Sequence, residues 1–490
     1  MASEKTVTIS EEKYQELLSY KSEVELLKHQ LAQLQRMIFG QKRERFIGPG
    51  PGQGVLFDLP AEETTEKKTQ EVTYTRSKPK KEKKHPLRAP LPAHLPRREE
   101  IINPENIPEN AKKIGESITE VLEYEPANIY VRKIIRPKYV VESSDEQTKI
   151  AIAPLPKLPI PKGNAGASMI AHIIVSKFVD HLPWFRQSKM LKRQNIYIPD
   201  STLGGWGNNA TENQLLRLWE VMKAKIVETG YLMADETPIP VLTEDKPGAT
   251  HQGYHWVYCD PVRKMAVFDY RHSRGREGPK SFLENFKGHL QTDGYTAYEK
   301  LAPPQKITLL ACMAHARRKF EHARENDPER AEKVLIIIRD LYQVEREAQE
   351  AQLSYDEIKL YRQEKSVSLL EKLEKYLIEE KPLVLPKSAI GKAISYTLKL
   401  WPRLKRYVDD GRFHIDNNLI ENTIRPVALG RKNYLFAGSH NGAKNAAIIY
   451  SLLATCKLND IEPFEWLKQT LETLPDCPDN KLHTLIPGQR

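Results

Sequence analysis

Five β-rich runs lie between residues 230 and 311: GYLMA (230–234), YHWVY (254–258), MAVFDY (265–270), GHLQ (288–291) and ITLLA (307–311). Their short length, apolar character and content of aromatic and β-branched residues predict one strand each. Helical patterns occupy residues 279–286, 296–301 and 314–324. The predicted order is therefore three consecutive strands, then helix, strand, helix, strand and helix.

That order is typical of a ribonuclease H-like sheet. Residues 328–410 are almost wholly helical in composition and predict a helical insertion or an added helical layer. The chain then continues with a polar cluster at residues 416–418, a helix through Glu421, a short strand at 434–436 and a last helical region from Ala443. The predicted fold class is multidomain α/β, with a ribonuclease H-like catalytic core that contains a helical insertion.

The segment before this core has two features of its own. Apolar residues at positions 17, 20, 24, 27, 31, 34 and 38 alternate spacings of three and four, the period of a coiled-coil seam. This predicts either a self-associating helix or an amphipathic helix packed on its own protein.

Residues 76–98 then carry nine Lys or Arg against Glu82 and are rich in proline. They predict an extended linker, either a solvated spacer or an arm that binds phosphates through Lys80, Lys81, Lys83 and Lys84.

A helix-turn-helix-like region is predicted between the linker and the core. Residues 172–195 have a helical pattern, a polar break follows at 198–200, and Ser201 is a candidate N-cap for the next helix. Lys189, Lys192 and Arg193 would form a basic face for DNA. Any corner between two helices produces the same pattern.

Residues 99–160, which precede this region, predict a small β-containing module, with alternation of apolar and polar residues at 129–135.

These patterns divide the chain into eight segments. They are a coiled-coil helix (1–46), a Gly/Pro-rich basic linker (47–98), a small module (99–164), the helix-turn-helix-like region (165–225), the first part of the catalytic core (226–325), the helical insertion (326–412), the last part of the core (413–460) and a C-terminal tail (461–490).

Composition narrows the class of protein. The 490 residues are enough for about three domains, and 75 Lys+Arg against 65 Asp+Glu leave a net charge of +10, which favours a polyanionic partner. The longest apolar run, residues 309–314, is far too short for a membrane span. The first residues lack the pattern of a signal peptide, and the four cysteines are widely scattered, which predicts a reducing cytoplasm and no disulfide framework.

Three acidic residues have positions that suggest chemistry. Asp235 ends the first predicted strand, Asp293 follows the fourth, and Glu421 lies on the helix after the insertion. The first and fourth strands of a ribonuclease H-like sheet are adjacent, so the two aspartates would lie side by side. Carboxylates of this kind hold Mg²⁺, and two such ions stabilise the attacking and leaving oxygens of a phosphoryl displacement.

Each acid also has an ordinary structural interpretation. Asp293-Gly294 is a turn signal, Asp235 could merely end a strand with Glu236 as its rival, and Glu421 has capping-box spacing from Asn418. Basic clusters flank all three acids, at residues 271–276, at 315–319 with Arg317 and Arg318, and at Arg425, Arg431 and Lys432. They predict a surface that binds phosphates. The chain contains no GxxxxGK[ST] motif, so nucleotide hydrolysis has no support.

Seven stretches together resemble the large transposase of the insertion sequence 66 family, a bacterial DDE transposase, over essentially the whole chain. They are MIFG (37–40), HLPWFRQ (181–187), STL (201–203), ADETP (234–238), QTDGY (291–295), CMAHARR (312–318) and the long, highly specific DNNLIENTIRPVALGRKNYLFAGS (416–439).

The resemblance implies that Asp235, Asp293 and Glu421 are the catalytic, metal-holding triad, with Mg²⁺ or Mn²⁺ and most simply two ions. It implies double-stranded DNA, both element ends and target, as the partner, a homo-oligomer joined by the N-terminal coiled coil, help from small accessory proteins of the same element, and a bacterial, nucleoid-associated location. Family members commonly carry a CxxC-type zinc module before the helix-turn-helix, but residues 99–160 contain no cysteine. No zinc is therefore expected.

The function predicted is a transposase that binds the terminal inverted repeats of its element, cuts there, and joins the freed 3′-hydroxyl to target DNA. Two alternatives stay open on the sequence. One is a DNA-binding derivative that no longer cuts, and the other is a ribonuclease H-like nuclease that never joins strands.

Overall fold

A computed structural model describes most of the chain after residue 156. The described residues are 10, 12–16, 20, 21, 23, 24, 27, 28, 31, 129–132, the backbone of 138–141 and 149–152, and then 157–161, 163–243, 248–301 and 307–489. The chain divides into two units, one of residues 44–155 and one of residues 1–43 with 156–490. Lys80, Lys81, Lys83 and Lys84 of the predicted linker lie outside the described residues.

The unit of residues 44–155 contains a small antiparallel sheet. Its strands are β1 (Lys138–Val141) and β2 (Lys149–Ile152), paired from Lys138↔Ile152 to Val141↔Lys149. Residues 129–132 are not in a strand, so the alternation predicted at 129–135 does not form one over its described part.

The larger unit is built on a five-stranded mixed sheet. Its strands are β3 (Tyr231–Leu242), β4 (Thr250–Asp260), β5 (Met265–Arg271), β6 (Gly288–Thr292) and β7 (Ile307–Ala311). Their order across the sheet is β5-β4-β3-β6-β7, antiparallel among β3, β4 and β5 and parallel among β3, β6 and β7. All five predicted strands are present, and the first and fourth are neighbours.

Strand β3 is much longer than the predicted run at residues 230–234. Its pairing with β4 continues to Leu242↔Thr250, whereas its pairing with β6 ends at Met233↔Gln291. Between Met233 and the bridge Val241↔Ala437 no described strand pairs with the edge that faced β6, so Pro238 and Pro240 can lie in the strand without breaking a ladder hydrogen bond on that side. Asp235 therefore lies inside the strand, and its predicted position at the strand end is wrong.

Short helices precede and follow β6, and a longer one follows β7. They are α5 (Glu277–Phe282) before β6, α6 (Thr296–Glu299) after it and α7 (Met313–Ala323) after β7, close to the predicted places. The edge strand β5 is covered by a late helix, α12 (His440–Leu458). There the hydroxyls of Ser451 and Thr455 accept hydrogen bonds from the backbone N–H groups of Phe268 (2.8 Å) and Ala266 (3.1 Å), which protects that edge.

Three long helices form the predicted helical segment. They are α8 (Pro328–Glu350), α9 (Tyr355–Glu380) and α10 (Ala389–Leu404). Ser354 begins α9 in a capping box with Glu357, and Ser388 caps α10. Helix α10 packs against α7, which joins this segment to the helix that follows the last strand.

The region before the sheet has more helices than predicted. They are α1 (Ala167–Phe178), α2 (Trp184–Arg193), α3 (Asp200–Ala210), a π-helical turn (Thr211–Leu215) and α4 (Leu216–Ile226). The single helix predicted at 172–195 is wrong, because the chain breaks at residues 179–183, where His181 has φ of 61°. The predicted cap at Ser201 is also wrong. Pro199 is the N-cap residue, and the Asp200 carboxylate accepts from the Ser201 N–H at 3.0 Å.

The chain ends with α11 (Asn418–Tyr434), α12 and α13 (Pro463–Thr473). The strand predicted at 434–436 is wrong, because Tyr434 is the last residue of α11 and only one bridge, Val241↔Ala437, follows.

All four cysteines have free thiols. Within the described part of the chain, no helix combines the length and the apolar character that crossing a membrane requires.

Candidate active site

Asp235 and Asp293 lie beside each other where the parallel pairing of β3 and β6 ends. Each stands two residues beyond the pair Met233↔Gln291, Asp235 within β3 and Asp293 directly after β6. The Asp235 carboxylate accepts a hydrogen bond from the Glu236 N–H at 2.8 Å. Because successive strand residues alternate faces, the equal offset places both aspartates on the same face of the sheet.

A tight turn positions Asp293. Its carboxylate accepts from the Tyr295 N–H at 2.8 Å, and Gly294 between them has φ of 93°. The turn predicted from Asp293-Gly294 is therefore present. The hydroxyl of Tyr396, on α10, donates to the Asp293 carbonyl at 3.0 Å, so the helical segment also contributes to this position.

Glu421 lies in the first turns of α11 and has no part in capping it. The helix begins at Asn418 after the N-cap residue Asn417, and no side chain makes the cap hydrogen bond. The capping-box interpretation of Glu421 is therefore wrong. Its Oε1 is buried without a hydrogen-bond partner, and His315 Nε2 and Arg318 Nη2 each lie 3.9 Å from one of its carboxylate oxygens.

The negative charges of Asp293 and Glu421 act on the carboxyl group of Asp235. Burial, followed by the negative charges of Glu236, Asp293 and Glu421, raises the pKa of Asp235 to about 8. The structure thus brings Asp293 and Glu421 close enough to disfavour ionisation of Asp235. A cation placed among these groups would reverse that effect.

Glu236, the alternative to Asp235 in the sequence analysis, forms an ion pair with Arg274. Its side chain is only 2% exposed and accepts a hydrogen bond from Arg274 Nε at 2.7 Å. Burial raises the pKa of Glu236 while Arg274 opposes that rise. The Arg274 guanidinium also lies 4.3 Å from the centre of the Tyr295 ring, next to the Asp293 turn. This ion pair ties the loop after β5 to the edge of the site.

Two further possible metal ligands, Cys312 at the N-cap of α7 and His315 on that helix, face Glu421, and the sequence did not predict them as ligands. Ligand atoms of Cys312, His315 and Glu421 all lie within 4.8 Å of one another. Burial lowers the pKa of His315, which favours the neutral ring, although Glu421 opposes the shift. The C-x-x-H spacing, which places both side chains on one face of a helix, was the available signal. Asp235, Asp293 and Glu421 do not form so compact a group.

Some of the predicted basic residues contact acidic side chains or the backbone, and the others are half-buried or exposed. Arg318 faces Glu421, while Arg317 pairs with Glu321 at 2.9 Å. Arg431 donates to the Pro238 carbonyl of β3, so this guanidinium joins α11 to the sheet. The remaining predicted residues are half-buried or exposed, namely Arg425 and Lys432 on α11 and Lys189, Lys192 and Arg193 on α2.

Fold and site together define an α/β protein with a carboxylate cluster at the point where two central parallel strands part. The chain belongs to the IS66 transposase family. The family model described as "Transposase IS66 family" matches residues 162–445 and so includes the whole sheet and the three acids. Two further models, "Transposase C of IS166 homeodomain" and "IS66 C-terminal element", match residues 26–99 and 451–487.

Three similar proteins come from Sinorhizobium fredii (strain NBRC 101917 / NGR234), and all are described as uncharacterized. Protein y4jD is 33% identical over 419 residues, which are 81% of each chain. Protein y4qI is 33% identical over 430 residues, 82% of this chain and 78% of that one, and y4hP is 31% identical over 436 residues, 83% and 77%. The similarity therefore extends over most of the chain.

Proposed function

We propose that this chain is a DNA transposase that cuts at the ends of its element and joins the freed 3′-hydroxyl to target DNA at one site. Its catalytic core would be ribonuclease H-like, with Asp235, Asp293 and Glu421 as the triad. The observation that carries the proposal is the equal register of the two aspartates, together with the effect of Glu421 on the pKa of Asp235. Membership of the IS66 transposase family supports the same role.

The residues present suit divalent cations with oxygen ligands. The Oε1 atom of Glu421 is buried and lacks a hydrogen-bond partner, and burial among acids makes ionised Asp235 costly without a cation. Asp235, Asp293 and Glu421 would hold Mg²⁺ or Mn²⁺, which when bound stabilise charge on the attacking and leaving oxygens of a phosphoryl displacement. Arg318, which faces Glu421, would bind the phosphate backbone beside the site.

Contacts to DNA would come from α2 and α11. Helix α2 has Arg186, Lys189, Lys192 and Arg193 and no acidic residue. On α11 the exposed Lys432 lies at the end opposite Glu421. The basic residues 76–98 lie entirely within residues 26–99, the match to the family model whose description names a homeodomain, which supports a role of the linker in DNA binding.

Self-association would use the N-terminal helix. The described residues there include Tyr20, Val24, Leu27 and Leu31, all helical and exposed, at the spacing of a coiled-coil seam. Exposed apolar residues in this pattern are typical of helices that pair. A dimer or larger assembly would allow two element ends to be cut in one complex, and small accessory proteins of the element would assist it.

The direct test is a cleavage assay with purified full-length protein, Mg²⁺ and labelled duplexes that carry the ends of the DNA element flanking the gene. We expect nicks at the ends and strand-transfer products with the parent, and neither with Asp235→Asn or Glu421→Gln. Glu371→Gln changes an exposed carboxylate on α9 and is the matched control. Equal cutting by the triad variants would contradict the assignment.

The same assay separates the two alternatives. A non-catalytic DNA-binding derivative would shift the labelled ends in a gel without cutting them in Mg²⁺ or Mn²⁺. A nuclease without strand transfer would give nicks and no joined products, even with a precut 3′-hydroxyl end as substrate.

A further inference from the structure

An unusual turn follows the helix that bears Glu421. The N–H of Phe436 donates to the carbonyl of Tyr434 at 2.7 Å, which closes a three-residue γ-turn centred on Leu435. Leu435 has φ of 64° and ψ of −46°, the rarer and strained form of this turn. A glycine would adopt this conformation at little cost, so a leucine here needs a reason.

The turn is held firmly on both sides. The Leu435 N–H donates to Arg431 on α11, and the backbone of Ala437 exchanges hydrogen bonds of 2.8 and 2.9 Å with Pro240 and Leu242 of β3. The Tyr434 hydroxyl also bonds that of Tyr450 on α12 at 2.9 Å. Three elements of the core therefore fix the two residues at the tip.

The tip itself is apolar and open to solvent. Leu435 is 62% exposed and Phe436 is 39% exposed. Strained backbone and exposed apolar side chains both cost stability in the isolated protein, and here they coincide at one rigidly held point. That coincidence indicates a contact surface.

The surroundings of the tip are cationic. Lys432 is exposed three residues before Leu435, and α2 lies alongside, because Arg186 Nη1 donates to Asn433 Oδ1 at 3.2 Å. Helix α2 contributes four basic residues and no acidic one, and its Phe185 is also exposed. An apolar tip within a positive surface fits a partner with anionic edges and a stacked apolar interior, which is duplex DNA.

We propose that Leu435 and Phe436 form a wedge that unstacks the bases of DNA bound at this site. The proposal rests on the transposase function and deepens it. The wedge lies fourteen residues after Glu421, about 20 Å along α11 at 1.5 Å per residue.

The test uses full-length protein and duplexes of the element end in which 2-aminopurine replaces single bases in turn. We expect its fluorescence to rise at one or two adjacent steps with the parent. Leu435→Gly, which also relieves the strained backbone, and Phe436→Ser should abolish that rise and weaken binding by about tenfold. Leu360→Ser, at a residue 69% exposed on α9, is the matched control.

The outcomes separate the wedge from the function on which it rests. The wedge is wrong and the transposase function stands if the parent binds and cuts the DNA but 2-aminopurine fluorescence rises at no base step. The same conclusion holds if both variants raise that fluorescence as much as the parent does. If the parent neither binds nor cuts element ends, both are wrong. If Leu435→Gly instead changes the mass of the DNA-free protein by light scattering, the tip contacts a second copy and the proposal is overturned.

Discussion

Asp235 on β3 and Asp293 directly after β6 each lie two residues beyond Met233↔Gln291, the last pair of these adjacent parallel strands. Burial and the neighbouring acidic charges, that of Asp293 among them, raise the pKa of Asp235 to about 8. The arrangement makes the site sensitive to protons and to cations.

The first prediction concerns stability and pH. In an unfolded chain Asp235 would ionise near pH 4, whereas its pKa in the folded protein is about 8. Between these values the folded state binds one proton more, so the contribution of Asp235 to the free energy of unfolding falls as pH rises. Without divalent ions we expect the parent to lose stability relative to Asp235→Asn between pH 5 and 8, on the order of a few kcal/mol, by urea denaturation. Parallel curves for the two proteins would contradict this.

The second prediction concerns Mg²⁺ in the same experiment. A cation bound by Asp235, Asp293 and Glu421 competes with the proton on Asp235, so MgCl₂ should raise the thermal midpoint more at pH 8 than at pH 6. Asp235→Asn should lose most of this effect. The control Glu371→Gln should keep it in full, and an Mg²⁺ effect of equal size in all three proteins would place the ion elsewhere.

The third prediction concerns the ion pair at the edge of the site. Arg274→Ala leaves the Glu236 carboxylate buried without its partner, which we expect to lower the free energy of unfolding by about 2 kcal/mol, less than for a fully buried pair because Arg274 is half exposed. Adding Glu236→Gln should recover much of that loss. Urea denaturation at pH 7 measures both, and a double variant no more stable than Arg274→Ala would show that the pair is not the cause.

The fourth prediction concerns DNA binding by α2. Replacing Lys189, Lys192 and Arg193 by alanine should weaken binding to element ends and lower the slope of log affinity against log salt by about three, one for each lost phosphate contact. The matched control replaces Lys359, Lys372 and Lys375, exposed basic residues on α9. Fluorescence anisotropy at several salt concentrations gives both slopes, and equal slopes for the two triple variants would remove α2 from the interface.

A deletion tests the N-terminal helix separately. Removal of residues 17–38 should reduce the molar mass measured by light scattering to that of one chain, because the exposed seam at Tyr20, Val24, Leu27 and Leu31 would be lost. An unchanged mass would show that the chain associates through another surface.

The local sequence pattern was sufficient to predict the five strands of the sheet and the long helices. The five runs between residues 230 and 311 predicted all five strands because each has a strong β composition, and residues 328–410 are helical as their composition predicted. Errors occurred where tertiary contacts override local signals. Strand β3 extends past two prolines because β4 pairs with one edge only. Helix α11 continues to Tyr434 where a strand was predicted, and after the γ-turn only Ala437 bridges β3.

The sequence by itself determined the residue types of the site and the neighbouring positions of the strands that bear Asp235 and Asp293, because strand order follows from the succession of strands and helices. Only the tertiary structure decided that Glu236, the rival of Asp235, forms an ion pair with Arg274. It also brings Glu421, which 127 residues separate from Asp293, close enough to raise the pKa of Asp235. It also decided that Leu435 stands exposed on a strained turn. All three depend on contacts between elements distant in sequence, whose relative positions are set by packing and not by any local pattern.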